Sequence, residues 1–271
     1  MAPPRLPQEL VDQIIDLLKD DEHALRACSL TCFAWRPRSQ KHLHRNLRVS
    51  ERQHPAVTER YASHELAAHV QHIEIRCKPP HPWHRMFQPL DPQPSRWLKE
   101  ERIYRTLDLF PHVTSYRFSY THFSLPVIHH ITAFFSSRSI LLTSLEIYEA
   151  SFEDLNGFAT LLAAFPHLLS LKVDRCSWPR DHTFSFETSK LFDSDLCRIP
   201  GPKLRTLRVM VHSQVRTDIT KWCFAAGIAS DFLEWRWEGH AHKAIFDPAV
   251  HPTGALVKPV CAVCFTSCCM L

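Results

Sequence analysis

A chain of 271 residues, 45% hydrophobic and 22% charged, holds one large domain or a small one beside a medium one, and is too apolar to be a disordered chain. Its net charge of +4 with histidine neutral is too weak to argue for nucleic acid, and no run of about 18 apolar residues offers a membrane span. The five glycines, at positions 157, 201, 227, 239 and 254, lie too far apart to build G-x-G-x-x-G, a P-loop or G-x-S-x-G, which removes several enzyme classes.

The opening residues lack the long apolar stretch of a signal peptide, so the expected location is cytoplasmic, nuclear or both. Cys28, Cys32, Cys77, Cys176, Cys197 and Cys223 are scattered among apolar residues and read as reduced core thiols.

Residues 6–48 read as three short helices. In the first, Leu6, Leu10, Ile14 and Leu18 recur every four residues, widened by Val11, Ile15 and Leu17, and Pro7 suits an early helical position. Asp20 and Asp21 can cap a second helix, in which Leu25, Cys28, Cys32 and Trp35 share one face. Pro37 and Ser39 can open a third, with Leu43 and Leu47 on one side. Three such helices make a poor core alone, and they carry more apolar residues than they can hide from one another. The next domain or a partner must cover the remainder.

Leu6-Pro7-Gln8-Glu9-Leu10, then Ile14 and Leu18, then the run from Leu25 to Trp35-Arg36 resemble an F-box of the kind abundant in fungi. The resemblance covers about residues 5–48. It implies a module that docks a Skp-type adaptor and, through it, a cullin ubiquitin ligase. It also implies that Leu6, Pro7, Leu10, Ile14, Leu25, Cys28, Leu30 and Trp35 contribute to adaptor binding or to the core that supports it. The alternative is that these residues pack only against the next domain.

Beyond residue 50 a frame recurs: apolar, two residues, apolar, one residue, apolar. It appears at Val70-Ile73-Ile75, Val113-Tyr116-Phe118, Leu142-Leu145-Ile147, Leu168-Leu171-Val173 and Leu204-Leu207-Val209, and in a weaker form at Phe232-Trp235-Trp237. Three of the five intervals lie near leucine-rich-repeat lengths; the longer two imply insertions. Helix-like segments, Ser95 to Phe110 and Asp154 to Phe165, separate some of the frames. Phe-Pro-His precedes two equivalent strands, at Phe110 and at Phe165. The pattern is similar to the degenerate leucine-rich repeats that follow many F-boxes, although the usual asparagine of that repeat is mostly absent. The expected fold is α/β: an N-terminal three-helix F-box-like module (1–50), then an irregular leucine-rich-repeat-like α/β solenoid (51–237) with a proline-rich inserted loop at 79–94, then a tail (238–271). A compact α/β domain with parallel strands is the alternative.

In a strand, the residue between the last two apolar positions of each frame points away from the core. Glu74, Arg117, Glu146, Lys172, Arg208 and Arg236 are therefore expected to form a ladder whose last three rungs are basic. Arginine matches phosphate and carboxylate, so Lys172, Arg208 and Arg236, with Arg117 more distant, are candidates to receive an acidic or phosphorylated target. A solvated strand face is the plain alternative.

No catalytic or metal motif stands up. His64 and His69 flank Glu65 but lie five residues apart, off one helix face. At the C-terminus three readings stay open: Cys261-x-x-Cys264 with Cys268, Cys269 or His251 as a zinc knuckle, Cys268-Cys269-Met270-Leu271 as a prenylation box with Cys268 lipidated, or a tail with no role. Only lipidation would bring a membrane into play. The sequence points to a non-catalytic adaptor without a cofactor, binding a Skp-type adaptor and an unidentified target; a scaffold independent of ubiquitin ligases, with the helices as its cap, is the alternative.

Overall fold

The computed structural model describes residues 6–77, 93–136, 142–177, 202, 204–210, 219, 232–237 and 240–244. The expected loop at 79–94 and the C-terminal cysteines lie almost wholly outside them.

Three helices open the chain: α1 (Gln8–Leu17), α2 (Glu22–Thr31) and α3 (Arg36–Leu43). The Pro7 carbonyl starts α1 by accepting the Leu10 and Val11 N–H groups at 3.1 and 3.2 Å. Asp21 caps α2, its carboxylate accepting the Ala24 N–H at 2.9 Å, and Pro37 occupies the first turn of α3. Val11, Ile15 and Leu25 form a small core of their own, flanked by Leu18, Trp35 and Leu43. A polar clamp closes it: Asp16 accepts from Arg38 Nε at 2.7 Å and lies 2.7 Å from His42 Nε2, tying α1 to α3.

Leu47, expected on the third helix, lies instead in a strand, β1 (Asn46–Ser50). Buried Leu47 and Val49 alternate there with exposed Asn46 and Arg48, a period of two that belongs to a strand and not to a helix. Short helices α4 (His54–Arg60) and α5 (His64–Ala67) lead to β2 (His72–Arg76). A 3₁₀ turn (Gln93–Lys99) and α6 (Glu101–Leu107) lead to β3 (Ser115–Ser119) and the two-residue β4 (His122–Phe123). Then follow α7 (Leu125–Ser136), β5 (Ser144–Tyr148), β6 (Ser151–Phe152), α8 (Leu155–Ala163) and β7 (Ser170–Asp174). The last strands are β8 (Thr206–Met210), β9 (Phe232–Trp237) and β10 (His240–Ala244).

The protein is thus α/β, with a mostly parallel sheet in the order β1-β2-β3-β5-β7-β8-β9-β10. Only β10 runs antiparallel, paired with β9, so the sheet continues into the segment expected as tail. The register is regular: Ile73 stands beside Tyr116, Leu145, Leu171 and Leu207 in successive strands. The apolar frame explains it. Each anchor (Val70, Val113, Leu142, Leu168, Leu204) and both following apolar residues are buried. One carbonyl at each strand entry accepts two N–H groups from the next unit: Gln71 from Thr114 and Ser115, Thr114 from Thr143 and Ser144, Thr143 from Leu169 and Ser170.

Helices cover the inner face, and the core there is strongly aromatic. Phe123 stacks on Phe152 at 4.6 Å, and Phe135 contacts Tyr116 and Phe165 edge-on, each at 4.9 Å. Phe110 and Phe165, the two Phe-Pro-His phenylalanines, are both buried. Strands β4 and β6 form a second small parallel sheet. Three residues after the last apolar position of three frames, the chain has Thr121, Ala150 and Cys176, all buried. The Cys176 thiol lies 3.8 Å from the Ile147 carbonyl and 3.6 Å from that of Asp174, and burial pushes it up to about 12. Where α7 and α8 meet, the absence of a side chain at Gly157 matters: a Cβ there would stand 2.8 Å from Ile128 Cδ1.

Candidate functional site

Two surfaces gather the residues singled out from the sequence. The first is on the N-terminal helices. Positions 10, 14 and 17 of α1 share one stripe and positions 11, 15 and 18 the next, by the 3.6-residue turn. Val11 and Ile15 face the small core, at 3% and 0% exposure. Leu6, Leu10, Ile14 and Leu17 face solvent at 58%, 46%, 38% and 85%, joined by Leu30 at 86% and Phe33 at 87%. Six of the eight large exposed apolar residues among those described therefore fall within the first 33 positions, on or beside α1 and α2.

The eight residues expected to serve adaptor binding divide accordingly. Leu6, Pro7, Leu10, Ile14 and Leu30 lie outside, whereas Leu25 and Cys28 are buried and Trp35 packs half-buried against the core. Leu17, expected only to widen the apolar stripe, and Phe33 were not among those eight. The signal for them was the excess of apolar residues over what three helices can bury. An open cleft beside Phe33, lined by Arg36, Gln40, Glu65, Leu66 and His69, separates the α2–α3 turn from α5.

The second surface is the outward face of the sheet. Its central row, by register, is Arg48, Glu74, Arg117, Glu146, Lys172, Arg208 and Glu234. The expected last rung, Arg236, is not part of it: Glu234 stands beside Arg208, and Arg236 stands beside Ala241 of β10. The sixth frame misled because Leu233, not the tryptophan-flanked triplet, aligns with Leu207. The basic run is thereby broken, and the charges pair internally. Arg48 donates to Glu74 at 2.8 Å, and Glu146 accepts both Arg117, at 3.3 Å, and Lys172. Burial opposes the charge on Glu74, but hydrogen bonds from Arg48 and Ser119 outweigh it and hold the carboxyl below its usual range.

Above that row, at the carboxyl ends of the strands, lies a cluster of arginines and tyrosines. The Tyr120 and Tyr148 rings meet edge-on at 5.8 Å. Arg76 lies over Tyr120 at 5.2 Å, and Arg117 and Arg175 lie over Tyr148 at 4.8 and 5.8 Å. Sequence reasoning missed this cluster, because Tyr120 and Arg175 follow their strands and fall outside the repeated frame.

Among the described residues no group of three metal-ligating side chains comes together, and no helix is long and apolar enough to cross a membrane. Cys268 and its neighbours lie outside the described residues. The chain matches no protein-family model and no curated protein.

Proposed function

We propose that the protein is a non-catalytic substrate-recognition subunit of an SCF-type (Skp-cullin-F-box) ubiquitin ligase. Residues 6–48 act as an F-box-like module that docks a Skp-type adaptor, and the sheet domain acts as an irregular leucine-rich-repeat-like solenoid that holds a target. The mechanism is proximity: one chain binds both ligase and target, which raises the local concentration of target lysines near the transferring enzyme. The observation that carries the reading is the exposure of six large apolar side chains, Leu6, Leu10, Ile14, Leu17, Leu30 and Phe33, on helices whose own small core is already closed by Val11, Ile15 and Leu25.

The same observation weighs against the scaffold alternative. A terminal cap of a repeat array needs a polar outer face for solubility, and these helices expose six large apolar side chains. The strict strand order and repeated register support the solenoid reading, since each unit shares its apolar face with its neighbours. Co-expression of the full chain with a Skp-type adaptor tests the proposal. The two should co-elute as one complex, and a Leu10→Asp, Ile14→Asp chain should elute alone. A wild-type chain that is folded and elutes without the adaptor refutes the reading.

A further inference from the structure

Three residues hold positive φ without being glycine: Tyr120 at 58°, Glu149 at 45° and Arg175 at 52°. They occupy one position in three successive units, immediately after β3, β5 and β7. The backbone use is the same each time, with the N–H donating to the last carbonyl of the next strand: Tyr120 to Tyr148, Glu149 to Asp174, Arg175 to Met210. For that purpose glycine or asparagine would serve at lower conformational cost. The chain places two long charged side chains and an aromatic ring there instead.

Those side chains converge. Arg175 donates to Glu149 at 2.9 Å and lies over Tyr148, and Tyr148 meets Tyr120, which lies under Arg76. Tyr120 also packs against the main core, whereas Arg175 is about half exposed; residues held in sparsely populated backbone regions cluster at binding sites. Tyrosine and arginine are also the residues that dominate binding energy at protein interfaces.

Charge selects the occupant. The basic groups around the cluster are Arg48, Arg76, Arg117, Lys172 and Arg175, with Arg208 beside Lys172, and the acidic ones are Glu74, Glu146, Glu149 and Asp174. Arg48, Arg117, Lys172 and Arg175 each have a carboxylate partner, and Arg76 has none among the described residues. We propose that the Arg76–Tyr120–Tyr148–Arg175 cluster is the target-contacting hot spot, and that it seats an extended acidic peptide with one Asp or Glu carboxylate on the Arg76 guanidinium. A single guanidinium without a carboxylate partner among the described residues fits a carboxylate; a phosphate dianion would call for more. The inference deepens the target-binding half of the proposed function and moves it away from Lys172, Arg208 and Arg236.

The test uses the full chain and a fluorescein-labelled peptide library made in three versions, with Glu, Gln or phosphoserine at one fixed central position. Fluorescence anisotropy should select Glu peptides over their Gln counterparts by about tenfold. That preference should vanish in Arg76→Glu, fall in Tyr148→Ala, and survive in Arg52→Glu, a charge change of the same size elsewhere on the surface. Circular dichroism melts confirm that each variant is folded, and Arg76→Lys keeps the charge if Arg76→Glu fails to fold. Equal binding of Glu and Gln peptides, preference for phosphoserine, or an unchanged profile in Arg76→Glu overturns the proposal. Adaptor co-elution is read on the same preparations, so a failure here and a failure of the ligase reading are separate results.

Discussion

Within α1, neighbouring residues carry opposite duties. Leu10 and Ile14 lie 46% and 38% exposed, and Val11 and Ile15 are buried. Aspartate at 10 and 14 should leave the melting curve nearly unchanged, because surface substitutions cost little. Ile15→Ala should cost about 2–5 kcal/mol, enough to unfold so small a core, visible as rapid amide hydrogen exchange confined to α1–α3. Asp16 adds a pH dependence. Hydrogen bonds from Arg38, then His42, hold its carboxyl well below the usual range. A group whose pKa is lower folded than unfolded stabilises the fold above its unfolded pKa, and that contribution is lost as pH falls through the folded value. The α1–α3 clamp should therefore persist near about pH 4, where an ordinary aspartate is half protonated, and loosen only in stronger acid. With Asp16 and Arg38 side chains 41% and 33% exposed, Asp16→Asn should cost no more than about 1 kcal/mol. A carboxyl titration followed by NMR, showing Asp16 protonating with the ordinary aspartates, would contradict this. Among the described cysteines, Cys32 is exposed and Cys28, Cys77 and Cys176 are buried. Burial raises the Cys77 and Cys176 thiols, so brief alkylation of native protein should label Cys32 and spare those two. At this scale the sequence located the apolar helix but not its division, because a stripe wider than one contact does not say which edge faces in.

Among the strands, Glu146 holds the charged row together by accepting from both Arg117 and Lys172. Glu146→Lys would set four positive rungs side by side, Arg117 to Arg208. Each adjacent pair then repels by about 1 kcal/mol at strand spacing in water-like dielectric, and the lowered melting temperature should recover in high salt. A melting temperature independent of salt would count against the paired ladder. Most of the sheet was legible in the sequence. Five apolar frames, Val70 to Leu204, predicted five strands and which residues they bury, since period two and burial are the same fact seen twice. Strand β1 was missed because Leu47 and Val49 form a frame shortened by the helix before it. The ladder's last rung was misplaced because Trp235 and Trp237 imitate the frame two residues late. Helix α7 drew no reading, although Val127, Ile128, Ile131 and Phe135 lie buried along it.

Across the whole molecule, the two surfaces have unlike chemistry. The N-terminal face is apolar and presented by helices with little core of their own. The sheet face is charged, aromatic and set on a continuous core from Leu47 to Ile219. The first offers exposed apolar side chains beside a small closed core, and the second offers charges, hydrogen-bonding groups and rings. In the sequence the first showed as more apolar residues than three short helices can hide. The second needed the register, because Arg76, Tyr120, Tyr148 and Arg175 lie 99 positions apart at their extremes and meet only when the strands stack. Isothermal titration of the purified full chain with a Skp-type adaptor tests the central claim most directly. The account predicts a dissociation constant of about 1 μM or tighter, weakened at least about a hundredfold by Leu10→Asp, Ile14→Asp. No heat of binding from a folded wild-type chain, or equal binding by the variant, would contradict it.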